Sequence, residues 1–135
     1  MDSIRQVDYF YVQVPNKAGE AAKVLAKVKE AGVNLLLFHG FPATNNGQLD
    51  FVPADAAAFQ SVAKANKWNV VGPKKAFLVQ GDDRVGACGD ALQKLASANI
   101  NVVAVTGISA GSRYGMIVWV SAKDVAKAAS VLGAT

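Results

Sequence analysis

This chain of 135 residues is poor in the side chains that most chemistry needs, with one cysteine, Cys88, and one histidine, His39. A lone cysteine excludes a disulfide within the chain, which fits a reducing compartment. Cys88 falls on the apolar stripe of an expected helix and reads as a small core residue. A zinc site gathers several Cys, His or acidic ligands, and no second histidine or nearby cysteine accompanies His39, so no metal is expected. No Ser/His/Asp order and no Cys/His pair offers an activated nucleophile. Asp50, Asp55, Asp82 and Asp83 fall at expected element ends, where caps and turns account for them, and His39 reads as a strand-end residue. Neither enzymatic activity nor a cofactor is expected. Residues 1–6 lack the basic segment and apolar core of a signal peptide, and no apolar run approaches the roughly 20 residues of a membrane span. The expectation is a cytoplasmic protein that uses no membrane.

Charged residues are 18% of the chain and the formal net charge is only +4. Lys23, Lys27, Lys29, Lys64, Lys94, Lys123 and Lys127 lie inside helical patterns, as on solvated helix faces. A split βαββαβ topology also serves RNA-recognition domains. The stretch Arg113-Tyr114-Gly115-Met116-Ile117-Val118-Trp119 lacks the basic-Gly-aromatic-Gly-aromatic order that sets stacking rings on a sheet, and Asp50 opposes phosphate. No nucleic-acid partner is expected.

What the chain does have is an internal repeat, with 52% hydrophobic residues arranged twice in the same rhythm. One offset of 67 residues relates Gly19 to Gly86, Asn34 to Asn101 and Gly40 to Gly107, and it also relates Phe10 to Phe77, Val12 to Val79, Leu25 to Leu92 and Ala43 to Ala110. Alternation over 7–14 marks a strand and apolar spacing over 19–31 a helix. A strand over 33–41, a hairpin turn at Thr44-Asn45-Asn46-Gly47, a return strand over 48–52, a helix over 54–66 and a short strand over 68–71, ended by Gly72-Pro73, complete the first copy. The second repeats the order over 75–132. The element order is the ferredoxin-like split motif. The fold class is therefore α+β, two tandem ferredoxin-like βαββαβ units over 6–74 and 75–135, the second lacking its last strand. An open sheet edge invites pairing, and the strand over 68–73 or a second chain is expected to cover it.

The segment Val14-Pro15-Asn16-Lys17-Ala18-Gly19-Glu20-Ala21-Ala22-Lys23-Val24-Leu25, followed by Glu30-Ala31-Gly32-Val33-Asn34, resembles the opening of an ACT domain. That family shows an Asn-Lys-Pro-Gly-like loop, a first helix, then Ala-Gly-(Ile/Val)-Asn; here Ala18 stands where proline is usual. Asp82-Asp83-Arg84-Val85-Gly86 is similar to the ACT loops of aspartokinases and related regulators, and Asn99-Ile100-Asn101 matches the asparagine that opens the second strand. The resemblance spans about 7–132. It implies a regulatory protein whose ACT units pair and hold a free amino acid between the loop of one unit and the second strand of the other. Asn16, Lys17, Ala18 and Gly19 would then work with Asn101 and Val102, and Asp83, Arg84, Val85 and Gly86 with Asn34 and Leu35.

The residues argue for the same kind of ligand by themselves. Gly19 and Gly86 precede helices, whose first turns carry free N–H groups and a positive dipole end that receive a carboxylate. Glycine lets a ligand approach the backbone closely. Asn34 and Asn101 offer a donor and an acceptor in one side chain, which suits a zwitterion. Asp82 and Asp83 would repel a carboxylate unless Arg84 offsets them, so the first loop is the better carboxylate site. With no catalytic or DNA-binding domain alongside, a homodimer or a regulated partner protein is expected to receive the signal. A regulatory subunit that binds a protein and no ligand is the alternative.

Overall fold

The computed structural model describes residues 2–135 and carries the 67-residue offset element by element. Strand β1 (Ser3–Val14) corresponds to β4 (Val70–Asp82), helix α1 (Glu20–Glu30) to α3 (Ala87–Ser97), β2 (Leu35–Ala43) to β5 (Val102–Ala110) and β3 (Asn46–Pro53) to β6 (Arg113–Val120). Helix α2 (Ala56–Ala65) corresponds to α4 (Val125–Leu132), which a 3-10 turn at Ala122–Asp124 precedes. The strand registers follow the same offset. Phe10 faces Phe51 as Phe77 faces Val118. The second strands are irregular at matching places, between Leu35 and Leu37 and between Val102 and Ala104. The architecture is α+β with ferredoxin-like units.

The two compact units do not meet at a single point in the chain. The first is Asp8–Lys74; the second combines the residues up to Val7 with Lys75–Thr135. Strands β1 and β4 are therefore each divided between the units. Strand order is β2-β3-β1-β4 in the first unit and β1-β4-β6-β5 in the second. Among the described residues no strand follows α4. The expectation that residues 68–73 or another chain fill the gap is corrected, because the start of the chain fills it. Ile4 packs on the second core, the Thr135 N–H donates to the Ile4 carbonyl at 3.1 Å, and the Gln6 N–H donates to the Thr135 carbonyl at 3.0 Å. Gln6 and Val7 accordingly group with the second unit rather than the first.

Residues 68–73 serve the first unit instead, since Trp68 and Val70 pack on its core. Gly72-Pro73 does not end a strand, and β4 runs through it. The glycine is there for close approach: a Cβ at Gly72 would stand 2.7 Å from the Tyr9 carbonyl oxygen, nearer than packed atoms tolerate.

Each core lies between helices and one sheet face. In the first, the fully buried Phe59 of α2 stacks obliquely on Phe10 and Phe51, with ring centroids 5.1 and 4.9 Å apart, within the preferred range for aromatic pairs. Helix α1 adds Val24 and Val28, one turn apart on its apolar stripe. Glu20 in the first turn and Lys27 and Lys29 in the last complement its dipole. Asp55 caps α2, accepting from the Ala58 N–H at 3.1 Å. The second core gathers Phe77, Val79, Leu95, Met116 and Val118. No helix among the described residues is long and apolar enough to cross a membrane.

Three local expectations are corrected. The hairpin turns at Thr44 and Asn45, with Asn45 at φ 64, while Asn46 and Gly47 already pair with Ala43 and Pro42; the left-handed residue that asparagine tolerates comes one place earlier. Asp50 is not at an element end but in the middle of β3, opposite Tyr11 and His39 and only 7% exposed. It accepts from Gln48 Nε2 at 3.0 Å. Burial pushes its carboxyl above the ordinary range, opposed by the Gln48 hydrogen bond and the charge of His39. His39 itself lies mid-strand, its Nδ1 buried without a hydrogen-bond partner and its ring 5.2 Å from that of Phe41.

Candidate functional site

Each unit has a cavity where the loop after its first strand meets the far end of its second strand. In the first unit, a cavity of about 380 Å³ is lined by Asn16 and Lys17 of the loop, Glu20 and Ala21 of α1, Phe38, Gly40, Phe41 and Pro42 of β2, and Gly47 of β3. In the second, a cavity of about 300 Å³ is lined by Asp83, Arg84 and Gly86 of the loop, Ala87 and Cys88 of α3, Gly107, Ile108 and Ser109 of β5, and Tyr114 of β6. Shifted by 67, the two linings coincide: Asn16 with Asp83, Lys17 with Arg84, Ala21 with Cys88, Gly40 with Gly107, Phe41 with Ile108 and Gly47 with Tyr114. The cavities are one site in two chemical versions.

Both loops enter their helices through a left-handed glycine, Gly19 at φ 87 and Gly86 at φ 76, with no side-chain cap on either helix. A Cβ at either glycine would meet nothing within 4 Å. The positive φ favours glycine, and the space around it is open. Across the cavity Gly40 and Gly107 keep the second strand close. A Cβ at Gly40 would lie 3.2 Å from Leu49 Cδ2, and one at Gly107 would lie 2.9 Å from Cys88 Sγ. Cys88 is half-buried and packs at the margin of the second core.

The electrostatics of the two versions differ. In the first, Lys17 is 68% exposed and meets only Glu20, at 3.7 Å; Glu20 is shared with Lys23 at 3.3 Å. Such exposed pairs are weak, so the Lys17 ammonium can turn to another anion. In the second, Arg84 is fully engaged. Its Nη1 and Nη2 donate to the Asp2 carboxylate at 3.2 and 3.1 Å, and Nη2 donates to Asp90 at 2.6 Å. Asp83 accepts from the Ser109 hydroxyl at 2.7 Å, and Asp82 from Arg113 at 2.7 Å. Tyr114, 5% exposed, donates its hydroxyl to Asp2 at 2.8 Å. The hydrogen bonds from Arg84 and Tyr114 hold the Asp2 carboxyl below its usual range. Burial, and then the Asp2 hydrogen bond, push the Tyr114 phenol up to about 12.

Of the residues singled out in the sequence, Asn16, Lys17, Asp83, Arg84 and Gly86 line the two cavities. Ala18 and Gly19 form the first loop without lining its cavity, and Val85 is fully exposed. Asn34, Leu35, Asn101 and Val102 line neither. Leu35 and Val102 open the second strands and pack on their own cores, and the Asn34 carbonyl accepts from the Ala54 N–H at 2.8 Å. Within one unit, the loop and the asparagine stand at opposite ends of an 11-residue helix, about 16 Å apart along its axis. Sequence reasoning missed the far ends of β2 and β5, and Asp2. The shared Gly40 and Gly107 were the available signal for the strand ends.

Comparison of the sequence with protein families and with characterised proteins finds no match. Solved structures do match over nearly the whole chain. A protein from Bacteroides thetaiotaomicron is 16% identical, with a TM-score of 0.81 over 98% of this chain and 88% of that one. The regulatory subunit of aspartate kinase from Thermus thermophilus, in a ligand-free form, is 14% identical, with a TM-score of 0.66 over 98% and 95%. The corresponding subunit from Thermus flavus is 18% identical, with a TM-score of 0.61 over 98% and 94%. The chain thus has an ACT-like fold, the one these regulatory subunits share.

Proposed function

We propose that this chain is a non-catalytic regulatory protein that binds a free amino acid at the loop leading into α1. The observation that carries the reading is the first-unit cavity, where Asn16 and the loosely held Lys17, just before an uncapped helix start, lie beside Phe38 and Phe41. The helix N–H groups and Lys17 receive the carboxylate, Glu20 faces the ammonium, and the two aromatic rings set the size of the side chain. The second cavity is the weaker site, because its guanidinium already holds two carboxylates. The fold shared with aspartate kinase regulatory subunits supports a role in which occupancy is passed to a regulated partner protein or through a homodimer.

A thermal-shift series against the twenty amino acids tests this. A ligand at 100 times its Kd adds roughly 2.7 kcal/mol, a rise of several degrees at this chain length. Lys17→Ala should reduce the rise without changing the unliganded melting temperature. If no amino acid moves the melting temperature, the reading is wrong. Asn34→Ala and Asn101→Ala test separately whether the starts of the second strands take part.

A second reading, a protein-binding subunit without ligand, is favoured by the apolar residues left exposed at matching positions of β2 and β5: Leu36 and Val103, Phe38 and Val105, Phe41 and Ile108. Ile108→Lys, followed by light scattering, would reveal self-association through this surface.

A further inference from the structure

Asp2 is bound like a ligand. Arg84 grips its two carboxylate oxygens in a fork, with Nη1 and Nη2 donating at 3.2 and 3.1 Å, the bidentate geometry by which arginine recognises carboxylates. The Tyr114 hydroxyl donates to Oδ2 at 2.8 Å, and the Tyr114 ring lies under the guanidinium, 5.7 Å from Cζ to the ring centroid. Behind the carboxylate is Gly81. A Cβ there would overlap Asp2 Oδ1 and stand 3.0 Å from the Tyr114 ring, so the space the carboxylate fills exists because residue 81 has no side chain. The first unit has Val14, Lys17, Gly47 and Asn69 at the corresponding positions and builds no such cradle. The cradle is therefore a property of these residues and not of the fold.

Asp2 also shuts the loop to other anions. With Asp2 in place, Arg84 faces two carboxylates, and its Nη1 further touches the Asp82 carbonyl at 3.4 Å. A third carboxylate would find both terminal nitrogens of the guanidinium already engaged and a net negative surrounding. Without the Asp2 carboxylate, Arg84 keeps Asp90 on Nη2 and the long contact to the Asp82 carbonyl on Nη1, and the Tyr114 hydroxyl loses its acceptor.

We propose that Gly81, Arg84 and Tyr114 form a carboxylate-binding site whose resident ligand is the side chain of Asp2, so that the residue just before β1 plugs the second unit's loop and leaves only the first unit's open to a free carboxylate. Because the plug is tethered, its effective concentration is in the millimolar range or above, and free carboxylates below that do not displace it. The Asp2 cradle stands apart from the amino-acid reading of the first unit; that the first unit remains open to a free carboxylate rests on that reading.

Chemical rescue tests it on the full chain. Asp2→Ala should lower the melting temperature. Sodium acetate or formate at tens of millimolar should then restore most of the loss, against sodium chloride at equal ionic strength, while leaving the native protein unmoved. Adding Arg84→Gln to Asp2→Ala should abolish the rescue. If Asp2→Ala folds poorly, Asp2→Asn gives a second readout: the Tyr114 phenol, followed by ultraviolet absorbance as the difference from Tyr114→Phe, should titrate lower than in the native protein, where burial and the Asp2 hydrogen bond raise it. Loss of stability with no response to acetate, an equal response in the native protein, or an unmoved Tyr114 titration would each overturn the proposal.

Discussion

Ile4→Ala is the sharpest probe of how the chain is divided between its units. Ile4, in β1, is half-buried and packs on the second core, although 70 residues separate it from Lys75, where that unit resumes. Truncating a fully buried isoleucine to alanine costs about 2–5 kcal/mol; half-burial brings this to about 1–2 kcal/mol. At roughly 3–4 °C per kcal/mol for a chain of this length, the melting temperature should fall by about 3–8 °C. The location of the damage matters more than its size. Native-state hydrogen exchange should rise in the Lys75–Asp82 half of β4 and at Thr135, whose N–H is held by the Ile4 carbonyl, and should stay unchanged in β2 and β3. Val70→Ala is the mirror experiment: Val70 packs on the first core, so exchange should rise in β3 and the Asp8–Val14 half of β1. If Ile4→Ala loosens the first unit instead, or leaves exchange in the second unchanged, the assignment of the chain's start to the second unit is refuted.

Asp50→Asn should stabilise the protein at pH 7. A carboxyl whose folded pKa is raised favours its protonated form in the native state, so its contribution is most favourable below the ordinary pKa of about 3.9 and is lost as pH rises through the folded value. The asparagine oxygen can still accept from Gln48, and the gain in melting temperature should vanish at pH 3; an equal gain at both pH values would contradict burial as the cause. Gly107→Ala should destabilise by about 1–3 kcal/mol from overpacking, because its Cβ would press on Cys88 Sγ. Cys88→Ala should remove most of that cost in a double-mutant cycle, and additive effects would show that the clash lies elsewhere.

Much of the fold was legible because the 67-residue offset is local information read twice. The apolar stripe of Val24 and Val28, the turn around Asn45 and the glycines before the helices announce themselves within a few residues. What escaped depends on partners far away in sequence. Ser3-Ile4-Arg5-Gln6 alternates too briefly to stand as a strand without Thr135, and Gly72-Pro73 reads as a stop until Tyr9 and Phe10 are set against it. The candidate site divided along the same line. The loops were found from their own residues. The far ends of β2 and β5 were not, because Gly40 and Gly107 looked like repeat markers rather than cavity walls. Asp2 gave no sign at all, since only folding brings it to Arg84, 82 residues on.

The division of β1 and β4 has a consequence for how such a chain could arise. Each strand completes one unit with its first half and begins the other with its second. The 67 residues Asp8–Lys74 hold all four strands of the first unit, whereas the second unit takes its last strand from the residues up to Val7; a free copy of the second would have to borrow that half-strand, as in domain swapping. Covalent linkage supplies that half-strand at an effective concentration no free strand would reach. Once joined, the halves are free to diverge, as the loose Lys17 of one and the plugged Arg84 of the other already have.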